Sequence, residues 1–257
     1  MSNLAQAIYV ETLKARRSRV SLFTALGILL LPLAGGFFMI VLKDPEMARR
    51  VGLISAKARL IVGTADWPTY LGFLTQSIAA GGFLLFGLIV SWVFGREYSD
   101  RTAKDLLALP TSRSAIVLSK FLVVAVWSAA LTVLTCLVGL GLGAVIGFPE
   151  APAQLILQGM GAIALAACMV IALVTPIAFF ASAGHGYLAP MGFVFLIVLL
   201  AQVIAVAGWG EYFPWSIPGV YSQGEVLEPV SYVIVGLTSL AGVAATLIWW
   251  EWADLAH

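Results

Sequence analysis

The sequence is short of charge, of histidine and of cysteine, and each shortage excludes something. Of its 257 residues, 11% are Asp, Glu, Lys or Arg and 61% are hydrophobic. A soluble domain carries about 25% charged and about 45–50% apolar residues. A water-soluble fold of this size could not cover so much apolar surface. That excludes a disordered chain, a nucleic-acid-binding chain and nearly any soluble enzyme, and it requires apolar side chains to face lipid. The two cysteines, Cys136 and Cys168, lie inside apolar runs, so no disulfide framework is supported. The two histidines, His185 and His257, are far apart, and no Cys/His cluster has metal-ligand spacing. The Gly184-His185-Gly186 turn reads as a connector. One further shortage is local: residues 121–257 contain no Lys or Arg, whereas residues 1–120 hold all 14.

Catalytic patterns are missing too. There is no G-x-x-x-x-G-K-[ST] phosphate loop, no His-Glu-x-x-His and no serine nucleophile elbow. The chain is therefore not expected to hydrolyse ATP or to act as an enzyme. No catalytic, cofactor-binding or metal-binding residue is assigned.

What is present is six apolar runs, at about 22–42, 70–94, 116–147, 155–180, 188–207 and 230–250. Each has about the 20 residues that cross a bilayer core of about 30 Å. The expectation is an all-α integral membrane protein. It is a bundle of six transmembrane helices forming one domain over residues 1–257. The first run is too long for a signal sequence and lacks a cleavage site, so no cleavable leader is expected. Thr175-Pro176 predicts a kink in the fourth span. Lys120, near the start of the third run, is the one charge inside any run. That run is about 48 Å long as a helix, so its first turns should project beyond the bilayer. The uncharged polar residues Thr75, Gln76, Ser77, Thr132, Thr135, Gln158 and Gln202 read either as helix–helix hydrogen bonds, worth about 0.6 kcal/mol each, or as lining of a pathway. Gly139, Gly143 and Gly147, spaced by four, let backbones approach closely. They fit packing within the chain or a dimer seam.

Basic residues set the orientation. Lys14, Arg16, Arg17, Arg19, Arg96, Arg101, Lys104, Arg113 and Lys120 fall on one side, and Lys43, Arg49, Arg50, Lys57 and Arg59 on the other. The split predicts both termini inside. Met47, Val51, Ile54, Ala58 and Ile61 recur at helical spacing, which predicts an amphipathic helix in the first outer loop. It reads either as a lid packed on other helices or as a basic platform (Arg49, Arg50, Lys57, Arg59) for anionic headgroups. The outer stretch 208–229 interleaves aromatics with prolines, which predicts an interfacial belt with a short re-entrant segment. Trp249, Trp250 and Trp252 are expected to form the matching inner belt.

The richest stretch is residues 95–120, GREYSDRTAKDLLALPTSRSAIVLSK. Alternating charges precede Leu106-Leu107 and a break at Pro110-Thr111-Ser112, and Ser112 or Ser114 can cap the following helix. This predicts a short cytoplasmic helix with an apolar edge, which fits either an ordinary charged loop or a docking element.

Here the sequence resembles a family. Glu97, Thr102, Leu106, Leu107, Pro110, Ser112, Arg113 and Lys120 match the first cytoplasmic loop of ABC-2 type transporter permeases, with Arg101 where the family usually has Gly. Residues 11–18, ETLKARRS, resemble the family's lead-in to its first span. FPWSIP at 213–218 and WWEWAD at 249–254 are similar to the bacitracin-transport-like branch.

The resemblance implies an exporter permease subunit in a prokaryotic plasma membrane. A drug, peptide antibiotic or lipid-like molecule would be its substrate. It implies two such permeases, as a dimer of copies or homologues, working with two ABC ATPase subunits that hold ATP and Mg. It also implies that Glu97, Arg101, Thr102, Lys104, Asp105, Leu106, Leu107, Pro110, Ser112 and Arg113 form a coupling helix on the ATPase. Glu11, Lys14, Arg16 and Arg17 would belong to an elbow segment. Membrane lipid is a further expected partner, and nucleic acid is not. The rival readings are an ion-coupled carrier and a non-transporting membrane anchor or signalling subunit.

Overall fold

The structure is a computed structural model. It describes residues 3–44, 64–100, 102 and 111–252. The amphipathic helix expected in the first outer loop, with Arg49, Arg50, Lys57 and Arg59, falls outside the described residues. So do Arg101, Lys104, Asp105, Leu106, Leu107 and Pro110.

Six helical spans form the bundle. A helix α1 (Asn3–Arg17) precedes span one, α2 (Arg19–Lys43). Span two is α3 (Trp67–Ser77) and α4 (Phe83–Ser99), joined by a π turn at Ile78–Gly82. Span three is α5 (Arg113–Ile146). Span four is α6 (Ala153–Leu173) and α7 (Thr175–Ala183). Span five is α8 (Leu188–Val206). A short α9 (Ile217–Ser222) then leads to span six, α10 (Pro229–Trp252).

Polar caps decide where three of these helices start, which is why α2, α3 and α5 each begin three residues ahead of the apolar run. Ser18 accepts from the Val20 amide at 3.0 Å and starts α2. Ser112 accepts from the Ala115 amide at 3.4 Å and starts α5, so of the two serines it is the cap. Asp66 starts α3 by accepting from the Thr69 amide at 2.9 Å. Burial alone would raise its pKa, but hydrogen bonds from Thr64 and Thr69 outweigh that and hold it below the ordinary carboxylate value. At the far end of α5, Gly147 takes the left-handed conformation that ends a helix. Lys43 donates to the last carbonyls there, Ile146 O at 2.7 Å and Gly147 O at 2.8 Å.

Span two is the most enclosed, and spans five and six are mostly open to their surroundings. The core therefore gathers around α3 and α4. The Tyr70 hydroxyl donates to Pro32 O at 3.1 Å and ties span two to span one. Glycines set the closest approaches. A Cβ on Gly139 would meet Leu74, and one on Gly143 would strike the Trp67 ring. Both glycines thus serve packing within the chain.

The kink expected at Thr175-Pro176 is a full break between α6 and α7. The Thr175 hydroxyl lies 2.8 Å from Ala172 O and 3.0 Å from Ser239 O on α10. Gly242 admits the Pro176 ring: a Cβ there would come within 2.5 Å of Pro176 N. The aromatic stretch at 208–229 does contain a short helix, and Trp215 Nε1 donates to Leu173 O at 3.1 Å, next to the break.

Two expectations need correction. Trp250 is not part of a belt: it is buried, and its Nε1 donates to Ser182 Oγ at 3.0 Å. Only Trp252 of the three is widely exposed. The hydroxyls of Thr75, Thr132 and Thr135 bond carbonyls of their own helices, not other helices. An apolar surrounding favours that short local bond over an unsatisfied hydroxyl. Gln76 and Gln202 instead line one recess, together with Trp215 and Gln223.

Candidate functional site

Five charged side chains converge at the end of the bundle that holds the N-terminus. Glu11 and Lys14 come from α1, Arg96 and Glu97 from the last turns of α4, and Lys120 from α5. Lys14 Nζ lies 3.2 Å from Glu11 Oε1 and 3.0 Å from Glu97 Oε1. Arg96 Nη2 pairs with Glu11 Oε2, and its Nε lies 3.2 Å from Glu97 Oε1. Lys120 Nζ lies 3.3 Å from Glu11 Oε2 and 3.0 Å from Glu97 Oε1, and it donates to Val93 O at 3.0 Å. Its three protons therefore have three acceptors.

All members except Lys14 are nearly sealed from solvent, and Lys120 is 0% exposed. Unpaired charges at that burial would be very costly. Every carboxylate oxygen here has a cationic or hydroxyl partner, so the cluster holds together as a unit. Three cations surround two carboxylates, which leaves one positive charge in excess. The Arg96 guanidinium also stands 4.5 Å from the centre of the Trp92 ring, whose face takes part of that charge.

The cluster is continuous with the ends of the stretch between spans two and three. The Thr102 amide donates to Glu97 O at 2.9 Å and its hydroxyl to Glu97 Oε2 at 2.8 Å. On the other flank, Arg113 Nη1 donates to Trp250 O at 3.0 Å and Glu251 O at 3.1 Å, the terminal carbonyls of α10. Thr102 and Arg113 are thus each tied into the bundle. One anchor leads into the cluster on α1, α4 and α5, and the other into span six.

The structure brings together Glu97, Thr102, Glu11 and Lys14 from the site residues expected on sequence. It places Ser112 and Arg113 at the foot of α5. Arg16 and Arg17 are exposed, outside the cluster. Trp92 carries no signal in the sequence, Arg96 reads there only as an orientation charge, and Lys120 reads as an orientation charge, as the one charge in an apolar run and as a match to the family's loop. The signal for Lys120 was its place in an apolar run, since an intramembrane charge demands a partner. Among the described residues no group of three or more His, Cys, Asp or Glu could hold a metal ion.

Comparison with known proteins gives the context of these two anchors, Thr102 and Arg113. A family model described as "ABC-2 family transporter protein" matches residues 7–201. The chain belongs to the ABC-2 transporter family. Its sequence is also 27% identical over 178 residues to the bacitracin transport permease protein BCRB of Bacillus licheniformis. That match covers 68% of this chain and 86% of the relative. It agrees with the resemblance of the 213–218 and 249–254 stretches to that branch. As an ABC-2 family member with six apolar spans, the chain is a multi-pass membrane protein and a transporter permease subunit.

Proposed function

We propose that this permease subunit exports its substrate with energy from ATP hydrolysed on separate ABC ATPase subunits, which dock on residues 101–113. Two permease chains pair with two such ATPases, and both termini lie in the cytoplasm. ATP and Mg are held by the ATPase. Leu106 and Leu107 supply the apolar contact, and the neighbouring charges set its orientation.

One observation carries the reading: the anchoring of this segment at both flanks. Thr102 leads through Glu97 into the buried cluster, and Arg113 leads into the end of α10. A push on the segment is then delivered to spans two, three and six and to α1 together. Buried ionic groups suit this because they hold one geometry and tolerate no partial separation. Substrates of a drug, peptide-antibiotic or lipid-like class fit the family context, and the bacitracin named for the relative belongs to that range.

The test is co-purification of co-expressed ATPase. Leu107→Asp and Arg101→Glu should each lose the ATPase and abolish transport while the permease still inserts. ATPase retained at wild-type level by both variants would overturn the docking assignment.

A further inference from the structure

Beside the ionic cluster, on the outer side of α1, lies an open groove of about 540 Å³ between α1 and α5. Its floor is apolar. Leu122, Val126 and Ala130 step along one face of α5 at intervals of four, and Trp127 and Ile8 flank them. The strip runs about 12 Å from the N-terminal end toward the middle of the span. Leu122 and Val126 are 45% and 62% exposed, so none of the described residues covers them.

Among the described residues, Arg16 is the one charged side chain that lines the groove. It is exposed and has no carboxylate partner among the described residues, unlike Lys14 two residues earlier. Arg17 and Arg19 beside it are likewise exposed. A cation in the same groove as an apolar strip on a membrane span matches an amphiphile with an anionic head and a hydrocarbon tail. Basic side chains at a membrane surface attract anionic lipid by about 1 kcal/mol each.

We propose that this groove binds one acyl chain of an anionic phospholipid, with the phosphate held by Arg16. The site reaches the ionic cluster through aromatic contacts. Trp127 meets Trp92 edge to face at 6.0 Å, and Trp92 carries the Arg96 guanidinium on its ring. A lipid seated against Trp127 therefore supports the ring that supports Arg96. The site depends only on the membrane-spanning fold, so it stands or falls separately from ATPase docking.

The test is native mass spectrometry of the full-length protein in detergent, titrated with dioleoyl phosphatidylglycerol and with dioleoyl phosphatidylcholine. The wild type should retain one phosphatidylglycerol per chain in preference to phosphatidylcholine. Arg16→Gln should bind phosphatidylglycerol about fivefold more weakly and lose the preference. Ala130→Trp, which fills the strip, should lose both lipids. If that variant does not fold, phosphatidylglycerol with brominated chains should quench wild-type fluorescence more than that of Trp127→Phe. Equal retention of the two lipids by the wild type would overturn the proposal, as would unchanged phosphatidylglycerol retention in Arg16→Gln. A disulfide between two chains of Val126→Cys would assign the groove to a second copy instead, and would equally overturn it.

Discussion

Glu11 on α1 and Lys120 on α5 are 109 residues apart in the chain and meet at 3.3 Å, with 3% and 0% of their side chains exposed. Because three cations share two carboxylates, removing an anion and removing a cation are not equivalent. Glu11→Gln or Glu97→Gln leaves three cations on one carboxylate and should destabilise by about 3–5 kcal/mol. Lys120→Met leaves two of each sign and should cost distinctly less. The double variant Glu11→Gln/Lys120→Met should recover part of the loss. Thermal unfolding in detergent ranks the four proteins.

The glycines of α5 separate packing within the chain from a dimer seam. Gly143→Ala drives a methyl into the Trp67 ring and should cost about 1–3 kcal/mol. Gly141→Ala meets nothing within 4 Å and should be neutral or slightly stabilising through helix propensity. Both should keep the wild-type oligomeric state on size exclusion. A loss of dimer specific to Gly143→Ala would place a subunit seam there.

The break in span four gives a second steric test. Gly242→Ala faces backbone atoms of Thr175 and Pro176, which cannot rotate away as a side chain can. It should separate α7 from α10 and lower both stability and transport more than Gly139→Ala, where the obstacle is the movable end of Leu74. Melting temperature and transport rate measured together check the order.

Asp66 provides a pH dependence with a definite sign. Its carboxylate is held below the ordinary pKa in the folded state, so it binds fewer protons folded than unfolded. The cap's contribution, about 1 kcal/mol, is then present above the unfolded value near 4 and is lost as pH falls through the folded value. The stability difference between wild type and Asp66→Ala should be full at pH 7 and shrink below about pH 4. A difference independent of pH would exclude the charged cap.

The six spans were legible because lipid imposes long apolar runs that nothing else in the sequence imitates. Their ends were displaced by the length of the caps: Arg19, Trp67 and Arg113 start helices that the apolar runs begin at 22, 70 and 116. The helix α1 escaped periodicity because its buried face is Glu11 and Ala15, a charge and a methyl, while Tyr9 and Val10 face outward. The ionic cluster was hidden for a different reason. Its members read in sequence as separate things, with Lys14, Arg96 and Lys120 as orientation charges, Glu11 as part of an elbow segment and Glu97 as part of a docking element, and only the packing of α1 on α5 brings Glu11 to Lys120. The π turn at Ile78–Gly82 left no pattern in the sequence that a continuous helix would not show.

In the proposed function the buried cluster passes motion from the 101–113 segment to the spans. The most direct test is Glu97→Gln, purified with its ATPase and assayed for ATP-driven transport in vesicles at matched protein level. The ATPase should still co-purify and still hydrolyse ATP while transport falls at least about tenfold, a barrier of about 1.4 kcal/mol. Transport at the wild-type rate by that complex would contradict it.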